Sequence, residues 1–205
     1  MRLAVNPTRM ELLRLRKRLV LARRGHKLLK DKQDELMKQF MLLVQEIRDL
    51  RLSVERELAE AWREFVLARA LGGNEVIEAA ISLPNRKTRV GVRRQQIMNV
   101  VVPVFSLSSE GKVVSYGLAT TPSELDTALA AMERVLGRMV ELASKEKSLE
   151  LIGDEIERTR RRVNALEYVL IPNLVETIRY ISMKLSEMER GNLSRLMRVK
   201  EIVRK

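Results

Sequence analysis

Few residues of this chain are of the types that do chemistry, and their spacing supports no catalytic arrangement. The 205-residue sequence has no cysteine and a single histidine, His26. It therefore offers no thiolate nucleophile, no cysteine-based zinc site and no metal site built on several histidines. The acidic residues are scattered, and the glycines form neither a GxGxxG motif nor a phosphate-binding GxxxxGKS or GxxxxGKT loop. The sequence predicts a protein that is not an enzyme by itself and holds no cofactor and no metal ion.

The basic residues are concentrated at the two ends of the sequence. Lys and Arg outnumber Asp and Glu by 39 to 27, which gives a formal net charge of +12. Residues 1–32 hold eleven basic and two acidic residues, and residues 190–205 hold six and one. This excess indicates an acid-rich or polyanionic partner, and nucleic acid, an anionic lipid surface and a protein cavity all stay open. Neither segment contains an aromatic residue that could stack on bases, which argues against nucleic acid.

A second basic cluster consists of Arg160, Arg161 and Arg162, which follow the acidic residues Glu155 and Glu157. One interpretation is a solvated helix face with local ion pairs, since acids and bases four residues apart are neighbours on a helix. The other is a contact surface for an acidic partner.

Two long stretches show the heptad pattern of a coiled coil. In the first, apolar residues recur in alternating steps of three and four, and only His26 and Gln33 interrupt them. The seam contains Leu12, Leu15, Leu19, Ala22, Leu29, Leu36, Phe40, Leu43, Ile47, Leu50 and Val54, and after a shift Leu58, Ala61, Phe65 and Ala68. Because His26 lies on this apolar seam, we expect it to pack or to form a hydrogen bond between helices rather than to act as a ligand or a base.

The second long helix is predicted to begin near Ser123. Its seam begins with Leu125, Leu129, Met132, Leu136 and Met139, shifts near Ala143 and resumes with Leu142, Leu149, Ile152, Ile156, Thr159, Val163, Leu166 and Leu170. It continues through Leu174, Ile178, Ile181, Leu185 and Met188. Pro172 lies inside this pattern, which resumes beyond it, so a kink is predicted rather than a stop.

Residues 73–121 have a different character, with β-branched runs and turn residues. A short helix is predicted from Glu75 to Ser82. The residues between Val90 and Phe105, a turn at Ser108–Gly111 and a strand at Lys112–Tyr116 predict a small β-hairpin or a three-stranded meander.

The predicted fold is mainly α, a long antiparallel two-helix coiled coil with a small β-hairpin segment at the bend. Its segments are the N-terminal long helix (1–72), the short helix with the β-hairpin (73–121) and the C-terminal long helix (122–205). Antiparallel pairing places Leu12 near Met183 and Leu50 near Lys145. Two function classes fit this fold on composition alone: a structural coiled-coil scaffold, and a coiled coil that binds nucleic acid or another polyanion.

Two stretches of the sequence are more specific evidence of function than its composition is. The sequence NPTRMEL from Asn6, followed by GHKLLKDK from Gly25 and DEL from Asp34, closely resembles the start of the D subunits of the V-type/A-type rotary ATPases. The sequence TRRRVNALE from Thr159, with Ile171 and Pro172 after it, resembles the second helix of the same family.

This resemblance implies a non-catalytic central-stalk subunit, the rotor shaft, which couples ATP hydrolysis or synthesis to ion translocation, including hydrogen ion transport. Its implied partners are the ring of A and B subunits that binds ATP, the small F subunit, and the funnel-shaped subunit called C in prokaryotes and d in eukaryotes. No small-molecule substrate, specific nucleic acid or direct membrane insertion is implied. The implied location is cytoplasmic, at the periphery of the membrane as part of the complex.

The resemblance also suggests roles for individual residues. We expect the two basic ends to lie inside the ring, where the residues facing acidic ring loops are predicted to be Arg9, Arg16, Arg23, Arg195 and Arg198. A second basic contact surface is predicted at Arg160, Arg161 and Arg162. The β-hairpin is expected on the side of the F subunit, and its predicted residues are Val100, Val102, Phe105, Val113 and Tyr116.

Overall fold

The computed structural model describes residues 5–82, 84–117, 119 and 121–203. Its elements are, in order, α1 (Arg9–Gly72), α2 (Asn74–Ile81), β1 (Lys87–Ile97), β2 (Val100–Glu110), α3 (Ser123–Asn164), a π-helix (Ala165–Leu170) and α4 (Ile171–Val203). The protein is therefore mainly α with a small two-stranded antiparallel sheet, as predicted. Residues 1–4, 204 and 205 of the predicted basic ends lie outside the described residues.

Local chemistry sets both ends of the 64-residue helix α1. At its start, the hydroxyl oxygen of Thr8 accepts a hydrogen bond from the backbone N–H of Glu11 at 3.2 Å, which satisfies one of the free donors of the first turn. At its end, Gly73 has a φ of 77°, a conformation that other residues rarely adopt. The helix therefore stops at Gly72, and α2 begins at Asn74.

The described chain forms two compact units, which we call the terminal unit (the residues up to 35 and those from 156 onward) and the central unit (residues 36–155). In the terminal unit, the first part of α1 packs against α4 around a core of Leu15, Ala22, Leu174 and Ile181. Arg9 pairs with Glu189, and His26 Nε2 lies 3.3 Å from Glu167 Oε2. These pairs agree with the predicted antiparallel register, and His26 takes the interhelical position expected of it.

In the central unit, α1 contributes a row of buried residues, all of them on the predicted seam. These residues are Leu36, Ile47, Val54, Ala61 and Ala68. Three ion pairs among the described residues link α1 to α3: Arg51 to Glu146 at 2.7 Å, Lys145 to Glu46 at 3.1 Å, and Arg138 to Glu57. They confirm the predicted approach of Leu50 and Lys145, and hence the antiparallel pairing within this unit.

The seam predicted for the first half of α3 is wrong at Leu136 and Met139. Both side chains are exposed, at 40% and 43%, whereas the buried positions are the smaller residues Ala128, Val135, Ser144 and Ser148. A seam between two helices favours large apolar side chains. Here a β-strand lies against α3 beside Ser144, so that a small side chain is needed.

The β-hairpin lies at a different place from the one predicted. β1 and β2 pair from Lys87 opposite Glu110 to Ile97 opposite Val100, and the turn is Met98–Asn99, with φ values of 46° and 70°. Two successive positive φ angles are characteristic of a two-residue hairpin turn whose twist matches that of the flanking strands. The predicted turn at Ser108–Gly111 and the strand at Lys112–Tyr116 are wrong.

Glycine marks the end of β2 in this chain and not the turn of the hairpin. Asn99 enters the left-handed region without glycine, whereas Gly111 ends β2 at a φ of 104°. A Cβ atom at Gly111 would clash with the carbonyl oxygen of Asn85. Val113 and Tyr116 consequently lie beyond the hairpin, in the segment that leads to α3.

The helix passes Pro172 without stopping, because the turn that precedes it is widened. Proline has no N–H, and its ring clashes with the carbonyl group four residues earlier in an ordinary α-helix. The π-helix Ala165–Leu170 precedes this position, and the N–H of Ile171 donates to the carbonyl oxygen of Leu166, five residues earlier. Helix α4 then continues to Val203.

Candidate partner-binding surfaces

One hydroxyl group joins the β-hairpin to α3. Ser144 Oγ accepts a hydrogen bond from the N–H of Phe105 at 3.3 Å and donates to the carbonyl oxygen of Pro103 at 3.1 Å. Ser144 of α3 is buried, and so are Val100 and Val102 of β2, the strand that contains Pro103 and Phe105. Val100 and Val102, which were predicted on the side of a partner, therefore pack inside the central unit, and Phe105 is partly buried above α3.

Arg86 forms a second link at the base of the hairpin. Its Nη2 atom donates both to Ser109 Oγ in β2 and to Glu133 Oε1 in α3. The hydrogen bond from Arg86 lowers the pKa of the Glu133 carboxyl group from 4.5, and the charge of Arg86 adds to this effect. The arginine thus connects the two strands and the helix at one point.

We expect the ion pair between Arg86 and Glu133 to weaken in acid. Because the folded-state pKa of Glu133 is lowered, the carboxylate stabilises the folded state above the unfolded-state pKa, and this contribution is lost as the pH falls through the folded-state value. Protection factors for amide exchange in β1 should be higher in the wild type than in a Glu133→Gln variant at neutral pH. The two should converge on acidification; a difference that persists at acid pH would contradict the assignment.

Tyr116 fastens the segment after the hairpin to the start of α3. Its hydroxyl donates to Asp126 Oδ1 at 2.6 Å, and burial together with this hydrogen bond raises the pKa of the Tyr116 hydroxyl well above its usual 10. The ring packs against the buried cluster of Ala68, Ile77 and Leu125. The Tyr116 side chain therefore packs within the central unit, whereas it was predicted as a hairpin residue on the side of the F subunit.

An open apolar groove of about 380 Å³ lies beside the hairpin in the central unit, and we call it the Trp62 groove. Its apolar lining comes from α1, α3 and the segment after β2: Leu58, Trp62, Val113, Leu129, Met132, Val135, Leu136 and Met139. Trp62 is half exposed and meets the ring of Phe65 edge to face at 5.8 Å. Val66 and Leu67 extend the exposed apolar surface along α1. A contiguous exposed patch of this kind is typical of a protein-binding site.

The structure brings together some of the five arginines that were predicted to face the ring. Arg9 is paired with Glu189, whereas Arg16 and Arg23 line one groove of the terminal unit. Arg195 and Arg198 are exposed near the end of α4, and the described residues contain no ion-pair partner for either. The same part of α4 exposes Leu193, Leu196 and Met197, so this surface is mixed rather than purely charged.

The cluster Arg160–Arg162 is also exposed in the terminal unit. Arg161 pairs with Glu157 one turn earlier, which supports the interpretation of local ion pairs for this residue. Arg160 and Arg162 flank it between the buried residues Thr159 and Val163. Successive residues on a helix point about 100° apart, so the three guanidinium groups spread around the exposed side instead of converging.

Comparison with known proteins gives the family. Residues 11–201 match the family model of the ATP synthase D subunits. The chain belongs to this family. It is 56% identical over 203 residues to the V-type ATP synthase D subunit of Acetivibrio thermocellus, an alignment that covers 97% of this chain and 91% of that protein. It is 51% identical over 209 residues to the protein of the same name from Clostridium novyi, covering 100% and 97%, and 49% identical over 208 residues to that of Clostridium botulinum, covering 99% and 96%.

Membership in this family of D subunits confirms the resemblance carried by the two sequence stretches. Within the described ranges, no helix is long and apolar enough to cross a bilayer. Two features of the structure were not predicted from the sequence, the hydroxyl contacts of Ser144 and the exposed Trp62 groove. The shift of the predicted seam near Ala143 could have indicated Ser144, whereas nothing in the sequence distinguishes an exposed Trp62 from a tryptophan of the core.

Proposed function

We propose that this member of the family of D subunits is the non-catalytic rotor shaft of a V-type ATP synthase. It couples ATP turnover in the ring of A and B subunits to ion translocation. One observation carries the proposal: the terminal unit is an antiparallel helix pair with a closed apolar core and exposed arginines outside it, which include Arg16, Arg23, Arg195 and Arg198. Such a surface suits contact with acidic loops that surround it, and the names of the relatives support a place in this complex.

The mechanism follows from symmetry. A pair of antiparallel helices has no three-fold axis, so within a ring of three catalytic interfaces it contacts each interface differently. Each orientation of the shaft then favours a different nucleotide state at a given interface, which is a coupling free energy between shaft angle and site. Rotation also requires contacts that break easily, and exposed ion pairs, worth about 0–1 kcal/mol each, meet this need.

The central unit has a different proposed role, the binding of the small F subunit. The Trp62 groove offers an exposed aromatic anchor, and the hairpin beside it is fixed by Ser144 and Arg86. Interfaces in general use tryptophan as an anchor in an apolar pocket. The funnel-shaped membrane-side subunit completes the proposed set of partners.

The test is made on the complex purified from the native membranes through a tagged copy of this chain. We expect the A, B and F subunits and ATP hydrolysis to be recovered with it. An Arg195→Gln/Arg198→Gln variant should keep its helical content but show weakened coupling, measured as rotation or ion transport per ATP hydrolysed. The control is Arg48→Gln/Arg56→Gln, which removes the same charge from exposed positions of the central unit.

Two results would overturn the proposal. Recovery of the chain alone, or with nucleic acid that salt removes, would favour the scaffold or the polyanion-binding coiled coil. Normal coupling in the Arg195→Gln/Arg198→Gln variant, or an equal loss in the control variant, would contradict a coupling contact between the ring and Arg195 and Arg198.

A further inference from the structure

A second groove, in the terminal unit, gathers three arginines that the described contacts leave without a carboxylate. It is an open groove of about 480 Å³ between α1 and α4, and it is lined by Arg16, Leu19, Arg23, Val175, Ile178, Arg179, Ser182, Met183 and Ser186. We call it the arginine groove. No described acidic residue forms an ion pair with Arg16, Arg23 or Arg179. Only Arg16 and Arg23 were singled out from the sequence, and the fold adds Arg179 from the other helix.

The heptad repeat shows what is missing from this groove. Arg9, Arg16 and Arg23 are seven residues apart, so they follow one another along the same side of α1 at intervals of about 10 Å. Arg9 is satisfied by Glu189 of α4. One and two heptads before Glu189, the positions on α4 are Ser182 and Val175, which line the arginine groove. The chain thus completes the first arginine–carboxylate pair and places a small and an apolar residue where the next two acids would be.

The lining also indicates the kind of ligand. Guanidinium groups bind carboxylates through two parallel hydrogen bonds, and the short side chains of Ser182 and Ser186 leave room for an incoming side chain. Val175 and Met183 expose apolar surface at the same place. The groove has no aromatic lining residue on which a base could stack. This combination fits a peptide segment with acidic and apolar residues better than it fits a nucleic acid.

We propose that the arginine groove binds an acidic segment of a ring subunit, whose carboxylates take the positions that Glu189 takes at Arg9. This inference rests on the proposed function, because it assumes that the terminal unit enters the ring. It specifies that function further: Arg16, Arg23 and Arg179 act together on one ligand, and Ser182 provides the space for it.

The sharpest test supplies the missing carboxylate from the chain itself. In a Ser182→Glu variant, the new side chain can pair with Arg16 as Glu189 pairs with Arg9, which fills the groove and neutralises part of its charge. We expect the affinity for the reconstituted ring of A and B subunits to fall about tenfold, with unchanged helical content and thermal stability. Ser182→Gln, which has the same size without the charge, should lose clearly less, and Arg179→Gln should weaken binding to a similar extent as Ser182→Glu.

The outcomes separate this inference from the proposed function. If the wild-type chain does not bind the ring at all, the proposed function fails. If it binds, and Ser182→Glu and Arg179→Gln bind equally well, the proposed function stands and the groove assignment is overturned. Binding of double-stranded DNA by the wild type that Ser182→Glu abolishes, with ring affinity unchanged, would identify a polyanion as the occupant and would also overturn the assignment.

Discussion

Replacing Trp62 by glutamate is expected to abolish binding of the F subunit while the helices stay folded. Trp62 is half exposed, so its loss removes little from the core of the central unit. In a complex, by contrast, it would be the largest apolar side chain in its groove. Truncating such an anchor costs about 2–4 kcal/mol, and placing a carboxylate in an apolar interface adds a desolvation cost. The dissociation constant should therefore rise by about 100-fold or more.

The measurement is a titration of the F subunit with the purified chain. Leu42→Glu serves as the control, because Leu42 is also an exposed apolar residue of α1 in the central unit but does not line the groove. A Met139→Glu variant tests the opposite wall of the groove on α3. Tight binding by the Trp62→Glu variant, or an equal loss with Leu42→Glu, would mean that this partner binds elsewhere.

The second large effect is expected at Ser144. A Ser144→Ala variant removes the hydroxyl that accepts from Phe105 and donates to Pro103, and it leaves two backbone groups without these partners at a buried position. An unsatisfied buried group costs about 1–3 kcal/mol, so the hairpin should detach from α3 in a large fraction of molecules. We expect amide exchange at Phe105 to accelerate by at least about tenfold, which corresponds to about 1.4 kcal/mol.

A neighbouring serine supplies a closely similar control. Ser148 is as buried as Ser144 and lies one turn further along α3, but its hydroxyl donates only to the carbonyl oxygen of Ser144 in its own helix. Such a bond within a helix contributes little, so Ser148→Ala should leave exchange in β2 nearly unchanged. Equal exchange rates in the two variants would show that the hairpin is held by its apolar residues instead. Restored protection in Ser144→Thr would confirm the role of the hydroxyl.

Heptad spacing predicted the helices well, since burying one face of a helix leaves a periodic trace in the sequence. Leu36, Val54 and Ala61 are buried where the seam requires them. The spacing failed at Leu136 and Met139, which line the open Trp62 groove instead of the core. A contact between a helix and the backbone of a strand leaves no periodic signal, and it selects a small polar residue such as Ser144.

The candidate sites were harder to predict than the fold. Arg16 and Arg23 could be selected by charge, but Arg179 joins them only because α1 and α4 pair antiparallel. The hairpin turn was misplaced because Met98 and Asn99 adopt positive φ angles without glycine. Exposure of Trp62 could not be read from the sequence at all, since a tryptophan at helical spacing is as often part of a core.

The basic residues of β1 bear on self-association of the chain. A two-stranded ribbon leaves two outer edges open to pairing with other chains. In β2 the backbone groups of Pro103 and Phe105 are already bonded to Ser144, whereas ten successive residues of β1 are exposed. β1 carries Lys87, Arg89, Arg93 and Arg94 and no acidic residue. Two copies that met along this strand would bring like charges together, so the strand resists joining into fibres while a newly made chain waits for its complex.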